Sequence, residues 1–269
     1  MLLVLAAIPA TPSRTLFIGN SYTYYNGGVD GLYSSVVNAA RASSLLNAKS
    51  LEGSFNPDFV EAHAVAKPNF FLRQHAAGHC FPKGPWENVV LQEQSQAPGL
   101  PEDNAENAAS KDAVQQLTRE AIAQGALTLV LMQTWGRRDG DNEHASIFPT
   151  FEAMQTRLTA GYQALAEVSA HEVLGARGLQ VRVAPCGEAF RAVKTTDETL
   201  FRALYSEDGA HPSLAGSYLA ACVLAGTLHP GPGSPAVTRG RTSDVILFAP
   251  PELSDGDAAA LRAAACSVL

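Results

Sequence analysis

The sequence predicts a single α/β domain in which helices cover both faces of a five-stranded parallel sheet, giving a three-layer α/β/α sandwich. Two observations favour this fold. Five short apolar runs along the chain are typical of strands that are buried on both faces. Segments with helical spacing of apolar residues separate these runs, and strands that alternate with helices form parallel sheets. The 269 residues suit one such domain, and no repeat or long linker divides them.

The predicted strands are apolar runs that end at glycine, proline or polar residues. They span 15–18, 60–66, 86–93, 127–132 and 179–184. The first ends at Gly19 and Asn20, two residues that tolerate unusual backbone angles. The third contains β-branched residues within an apolar run, and the fourth is an almost unbroken apolar run. The second strand has an alternative at 48–52.

The predicted helices lie between these strands and after the last one. They cover 29–42, a short segment around 72–75, 104–124, 148–170, 188–193, 214–224 and 253–268. The first carries Asp30 near its start, where an acidic side chain interacts favourably with the helix dipole. Gly125 closes the helix before the fourth strand, as glycine does at many helix ends. Pro212 opens a later helix, since proline suits the first turn.

Composition and charge disfavour several classes of function. The formal net charge of −7 argues against binding to nucleic acids and to anionic membrane surfaces. No stretch is long and apolar enough to span a bilayer. A nucleotide-binding α/β protein is disfavoured because the sequence contains no glycine-rich phosphate loop.

The first 14 residues are predicted to be the remnant of an export signal or an N-terminal arm, which leaves the single domain at 15–269. The run from Met1 to Thr11 is apolar and ends near small residues, like the tail of a secretory signal. The run is short, and no positive charge precedes it. The sequence therefore favours a periplasmic or secreted protein, with a cytoplasmic one as the alternative.

The cysteines and two neighbouring histidines bear on metals and disulfides. The cysteines are Cys80, Cys186, Cys222 and Cys266. They lack the short paired spacing of a zinc site, and Cys222 falls in an apolar helix as core cysteines do. A disulfide between Cys222 and Cys266, or between Cys80 and another cysteine, stays open for an exported protein. His75 and His79 are interpreted as surface or pocket residues, so no metal is predicted.

Two short stretches far apart in the chain carry the side chains of a serine nucleophile. Ser21 follows the first predicted strand, at the edge where open α/β sheets bind ligands. A serine needs a base to become a nucleophile, and the base needs an acid to orient it. Asp208 and His211 are three residues apart, so one turn of backbone can supply both. The alternative is that Ser21 merely caps a helix.

Together, Gly-Asn-Ser-Tyr-Thr at 19–23 and Asp-Gly-Ala-His-Pro-Ser at 208–213 resemble the first and last signature blocks of the SGNH hydrolases, the GDSL-like esterase superfamily. The resemblance spans most of the chain and implies a flavodoxin-like fold. It also implies that Ser21 is the nucleophile, His211 the base and Asp208 the acid. Leu-Gln-Glu-Gln-Ser at 91–95 is similar to the corresponding stretch of a bacterial subgroup of that superfamily.

The resemblance further implies an oxyanion hole, formed in part by the amide of Ser21. The third block of the family ends in an asparagine whose side chain donates to the oxyanion. Here Gln94 takes that position with the same NH₂ donor, and Gln92 is the alternative. The glycine of the second block is replaced or displaced in this chain. Asn69 takes its place if the second strand is the one at 60–66, and Gly53 does so if the alternative strand forms.

The resemblance implies a serine ester hydrolase that needs no cofactor and acts on a small-molecule or saccharide ester. Polar amides at the strand ends favour a small acyl group, such as acetyl, on a polar or carbohydrate leaving group. Asn20, Gln92 and Trp135 are predicted to line the substrate cleft. The alternatives are a lysophospholipase or thioesterase, and a non-catalytic binding domain whose site has degenerated. The sequence does not indicate an oligomeric state.

Overall fold

The computed structural model describes residues 12–47, 60–174, 178–230 and 248–269, without the side chains of 44–47. Five parallel strands form one sheet in the order β2-β1-β3-β4-β5. The strands are β1 (Ser13–Gly19), β2 (Val60–Ala66), β3 (Asn88–Leu91), β4 (Thr128–Met132) and β5 (Gln180–Ala184). This order and the all-parallel pairing confirm the predicted α/β fold.

Helices connect the strands and cover the sheet. They are α1 (Ser21–Tyr24), α2 (Val29–Asn47), α3 (Leu72–Ala77), α4 (Ala105–Ala123), α5 (Phe151–Val173), α6 (Cys186–Thr196), α7 (Glu198–Ala203), α8 (Leu214–Leu228) and α9 (Asp255–Ser267). Short 3₁₀ turns lie at Tyr25–Gly27, Ala97–Gly99 and Asn142–His144. No helix within these described ranges is long and apolar enough to cross a membrane.

The core is divided by the sheet into two clusters, one on each face. Alternate residues of β1 show the division, because neighbouring side chains of a strand point to opposite faces. Phe17 packs with the buried sides of α2, α6, α8 and α9. Leu16 and Ile18 pack with those of α3, α4 and α5. The two clusters give the three layers that the alternation of strands and helices predicted.

Some element ends differ from the sequence prediction. β3 ends at Leu91, the last of its residues paired with both neighbouring strands, so Gln92 and Glu93 lie beyond the strand and not within it. β1 begins at Ser13, which places the first two strand residues outside the predicted domain 15–269. The helix predicted from 148 begins at Phe151, because the Thr150 hydroxyl accepts from the Ala153 amide and caps it.

The strand order places the ends of β1 and β3 at a switch point. From β1 the chain passes to β2 on one side of that strand and then to β3 on its other side. In open α/β sheets such a point leaves a crevice outside the carboxyl ends of the strands, where ligands bind. Ser21 begins α1 directly after β1 and therefore lies at this crevice. The alternative second strand at 48–52 and Gly53 lie outside the described residues.

Candidate active site

The structure brings Ser21, His211 and Asp208 into one hydrogen-bonded chain. The Ser21 Oγ lies 2.9 Å from Nε2 of His211. On the other side of the ring, Nδ1 of His211 lies 2.5 Å from Oδ2 of Asp208. These residues are up to 190 positions apart in sequence, so the fold and not local structure brings them together. The arrangement is the one that a serine nucleophile, its base and its orienting acid require.

The Asp208 carboxylate is held in place by its own loop. Its Oδ1 accepts hydrogen bonds of 2.9 Å from the amides of Ala210 and His211, which leaves Oδ2 for the imidazole. Partial burial alone would raise the pKa of Asp208. The hydrogen bonds from the His211 ring and the two amides outweigh it and hold that pKa below its usual value. Asp208 is therefore an anion at neutral pH, as an acid that orients a histidine must be.

Side-chain hydrogen bonds from Asn20 and Gln92 hold the turn that carries Ser21. The Asn20 side chain accepts from the Tyr22 amide at 3.1 Å and caps α1. The Gln92 Oε1 accepts from the Asn20 amide at 2.9 Å and from the Thr23 hydroxyl at 3.0 Å. A Cβ at Gly19 would lie only 2.5 Å from that same oxygen of Gln92. Glycine precedes the serine turn because the buried glutamine approaches the backbone this closely.

Three side chains predicted to line the substrate cleft are engaged with the protein instead. Asn20 and Gln92 are buried and hydrogen-bonded within the serine turn, and the Gln92 Nε2 donates to the Glu93 carbonyl at 2.5 Å. Trp135 is 0% exposed. That these residues contact substrate stays a prediction, and the structure gives each of them a contact within the protein. Polar groups at the end of a buried strand must find partners, and here most of the partners lie in the loops that carry Ser21 and His211.

Trp135 joins the two halves of the site. Its ring stacks between Tyr22 and Phe190, with centroid distances of 4.9 and 4.4 Å and nearly parallel planes. Its Nε1 donates to the Ala210 carbonyl at 3.1 Å. One face of the indole thus supports the serine turn while its N–H holds the loop that carries Asp208 and His211. Tyr22 also donates to the Ser95 hydroxyl at 3.1 Å, and burial raises its pKa to about 12, so it remains a neutral donor.

Of the predicted oxyanion donors, the Ser21 amide lies in the serine turn itself, and Asn69 and Gln94 lie in the segments that follow β2 and β3. Asn69 has a φ of 56°, the left-handed region that glycine adopts most readily, so it fills a glycine position without a glycine. The carbonyl of the next residue, Phe70, accepts from the Asn20 side chain at 3.0 Å, which brings this turn against the serine turn. The Gln94 Oε1 accepts from the Gln96 amide at 3.3 Å. Within the described residues, the Ser21 amide, the Asn69 amide and the Gln94 NH₂ have no hydrogen-bond partner.

Glu93 and His75 support these segments, and the sequence reasoning did not give them this role. The buried Glu93 Oε1 accepts from the Leu72 amide at 2.9 Å and from the Gln94 amide at 2.6 Å. Burial raises the pKa of Glu93, with its hydrogen bonds opposing that effect. The His75 Nε2 lies 2.8 Å from the Gly19 carbonyl and donates to it, and burial lowers the pKa of His75. The sequence feature that could have indicated the supporting role of Glu93 is a carboxylate that directly follows a buried strand.

One cluster of the described residues carries side chains of the type that bind metals. Ligand atoms of Asp141, Glu143 and His144 lie within 4.8 Å of one another. The buried Asp141 carboxylate is already paired with the Arg137 guanidinium at 2.5 Å and with the His144 Nδ1 at 3.0 Å. A cation there would have to displace the guanidinium, so these contacts are those of an ion-paired loop.

Solved structures share this architecture. A candidate GDSL-like lipase from Parabacteroides merdae ATCC 43184 aligns with a TM-score of 0.52 and 15% sequence identity, over 79% of this chain and 94% of that one. A catalytic mutant of Axe2, an acetylxylan esterase from Geobacillus stearothermophilus, aligns with a TM-score of 0.50 and 13% identity, over 83% and 98%. The chain has the fold of these hydrolases. No protein-family model and no curated protein matches the sequence.

Proposed function

We propose that the chain is a serine carboxylic ester hydrolase with Ser21 as its nucleophile. The observation that carries this proposal is the hydrogen-bonded chain from the Ser21 hydroxyl through His211 to Asp208. It lies at the carboxyl edge of a parallel sheet, where this class of fold binds ligands. The side chain that would attack, the base and the orienting acid are each within hydrogen-bond distance of the next.

The first half of the reaction forms an acyl-enzyme. His211 accepts the proton of the Ser21 hydroxyl as Oγ attacks the ester carbonyl, and Asp208 stabilises the imidazolium that results. The carbonyl oxygen becomes an oxyanion, for which the unpartnered donors of Ser21, Asn69 and Gln94 are available. One such donor contributes about 3 kcal/mol to the stability of the transition state. The intermediate then collapses as His211 gives its proton to the leaving alcohol.

The second half returns the enzyme to its starting state. His211, again neutral, removes a proton from a water that attacks the acyl-enzyme. The acid product leaves, and the proton returns to the Ser21 oxygen. These steps draw on protein side chains and water alone.

We infer a small acyl group on a polar or carbohydrate leaving group as the substrate. The similar fold of Axe2, an acetylxylan esterase, supports this substrate class. A lysophospholipase or a thioesterase would act through the same triad, so the acyl-chain preference distinguishes them.

The test combines turnover with labelling of the nucleophile. We expect the protein to hydrolyse p-nitrophenyl acetate and acetylated xylan, with kcat/KM falling as the acyl chain lengthens. A fluorophosphonate should label Ser21, as located by peptide mass spectrometry, and abolish turnover. Ser21→Ala should fold normally, because within the described residues the hydroxyl makes a single hydrogen bond, to His211, and the variant should lose both turnover and labelling. Wild-type turnover by the folded Ser21→Ala protein would refute the assignment, and an unlabelled, inactive wild type would favour the non-catalytic alternative.

A further inference from the structure

We propose that Tyr25 and Asn26 are positioning residues that clamp His211 onto Ser21, which extends the proposed function beyond its triad. Both residues lie in the 3₁₀ turn that directly follows the serine helix α1. Their side chains reach across to the segment that carries His211, 186 to 191 positions later in the sequence. The serine segment itself therefore holds the base.

The ring of Tyr25 covers one face of the His211 imidazole. The two rings are stacked with centroids 4.3 Å apart and planes inclined by 12°. Both imidazole nitrogens are bonded in the ring plane, to Ser21 and to Asp208, so the ring faces are the surfaces left to be covered. The Tyr22 ring meets the imidazole edge-on at 5.6 Å. The imidazole is thus fixed in the orientation in which Nε2 points at the serine oxygen.

The stack has a consequence for the chemistry as well as for position. His211 becomes a cation when it takes the serine proton, and the face of an aromatic ring attracts a cation. The interaction is stronger in the transition state than in the resting enzyme, where the imidazole is neutral. Such an interaction raises kcat and leaves KM nearly unchanged.

Asn26 locks the turn to the backbone beside His211. Its Nδ2 donates to the Pro212 carbonyl at 3.0 Å and to the Ser217 hydroxyl at 2.8 Å. Asn26 has a φ of 55°, a left-handed conformation in which asparagine and glycine are the tolerated residues. The two Asn26 hydrogen bonds therefore hold the turn at a fixed distance from the His211 segment and keep the Tyr25 ring over the imidazole.

The experiment compares four variants of the full chain. Tyr25→Leu removes the ring face but keeps an apolar side chain, and Tyr25→Phe keeps the ring. Asn26→Gly keeps the left-handed backbone but loses both hydrogen bonds. Tyr24→Leu is the matched control, since Tyr24 lies beside Tyr25 and makes no ring contact with His211 within the described residues. Each variant is measured for kcat and KM on p-nitrophenyl acetate and for thermal stability.

We expect Tyr25→Leu to lower kcat about tenfold, which corresponds to about 1.4 kcal/mol, with KM and melting temperature nearly unchanged. Asn26→Gly should lower kcat in the same way, and Tyr25→Phe and Tyr24→Leu should retain it. Wild-type kcat in Tyr25→Leu would overturn the proposal. So would a Tyr25→Phe variant as impaired as Tyr25→Leu, or an equal loss in Tyr24→Leu.

A second measurement does not depend on ester hydrolysis. The His211 ring is stacked on the Tyr25 ring, so we expect the NMR signals of its carbon-bound protons to be shifted upfield, and these signals can be assigned by their loss in His211→Asn. Tyr25→Leu should move them downfield, whereas Tyr24→Leu should not. Unmoved signals would overturn the stack itself. Moved signals in a protein that hydrolyses no ester would support the clamp and refute the proposed function instead.

Discussion

Replacing Glu93 by alanine tests whether one buried carboxylate joins the two segments that carry the predicted oxyanion donors. Its Oε1 accepts from the Leu72 amide of α3 and from the Gln94 amide after β3. Alanine leaves both amides without this acceptor. A buried donor without a partner costs about 1–3 kcal/mol, and the Gln94 amide is only partly buried, so the free energy of unfolding should fall by about 2–4 kcal/mol. The two segments would also separate, and kcat should fall with stability.

Glu93→Gln is the matched control, because its side-chain oxygen can still accept both hydrogen bonds. Burial raises the pKa of Glu93, so the folded protein binds this proton more tightly than the unfolded chain does. Wild-type stability therefore falls as the pH rises from the unfolded-state pKa to the folded-state pKa. Glutamine has no such proton. The variant should match the wild type in acid and exceed its stability at neutral pH.

The measurement is urea unfolding of the three proteins, followed by circular dichroism, at one acidic and one neutral pH. The same samples give kcat on p-nitrophenyl acetate. An alanine variant that unfolds at the wild-type urea concentration and turns over at the wild-type kcat would refute the reasoning. A glutamine variant as unstable as the alanine variant would show that the charge of Glu93, and not its two hydrogen bonds, holds the segments.

Three further predictions concern the proposed donors Gln94 and Asn69 and the neighbouring Gln92. Gln94→Ala should lower kcat by about 100- to 1,000-fold with KM nearly unchanged, since the donor acts on charge that develops in the transition state. Gln92→Ala should mainly lower the urea midpoint, because that side chain braces the serine turn; a kcat loss confined to Gln92→Ala would identify it as the donor. Asn69→Gly should keep the wild-type kcat and the wild-type urea midpoint. Asn69→Val should lower both quantities, because a β-branched residue resists the φ of 56°. Equal kcat in the wild type and both variants would remove that turn from the oxyanion hole.

The fold could be predicted from the sequence because its signals are local and repeated. Each central strand is an apolar run, as a strand buried on both faces must be, and helical patterns separate the runs. The boundary of β3 could not be predicted in this way. Gln92 extends the polar pattern of the strand tip, yet its side chain turns back to bond the serine turn, and the strand pairing ends one residue earlier.

The hydrogen-bonded set of Ser21, His211 and Asp208 could be predicted for a different reason. A serine after a strand and an Asp-x-x-His stretch are rare together, and the chemistry that needs them is narrow. The roles of Asn20, Gln92 and Trp135 could not be deduced, because a polar or aromatic side chain at a strand end can bond either a ligand or a neighbouring loop. Only the contacts in the folded structure distinguish these two roles. For Trp135 the partners are Tyr22, Phe190 and the Ala210 carbonyl, none of which the sequence places beside it.

The loop that carries Asp208 and His211 needs support from beyond the triad. The Asp208 side chain is 49% exposed, and an ion pair at such a site contributes only about 0–1 kcal/mol. The Asp208–His211 contact therefore orients the imidazole but cannot hold the loop against Ser21. The loop is held instead by hydrogen bonds to its own backbone carbonyls and to the carbonyl of Pro212, which follows it. The Gly209 carbonyl accepts from the Arg138 amide at 2.8 Å and the Ala210 carbonyl from Trp135 at 3.1 Å.

A further anchor, from Asn26 to the Pro212 carbonyl at 3.0 Å, comes from the serine segment itself. The Arg138 and Trp135 contacts fix the loop relative to the end of β4, whereas this one fixes it relative to the nucleophile. A shift of the loop away from α1 would lengthen the Ser21–His211 and the Asn26–Pro212 hydrogen bonds together. The Asn26 contact opposes that shift directly. It is therefore the anchor whose loss should reduce kcat most for a given loss of stability.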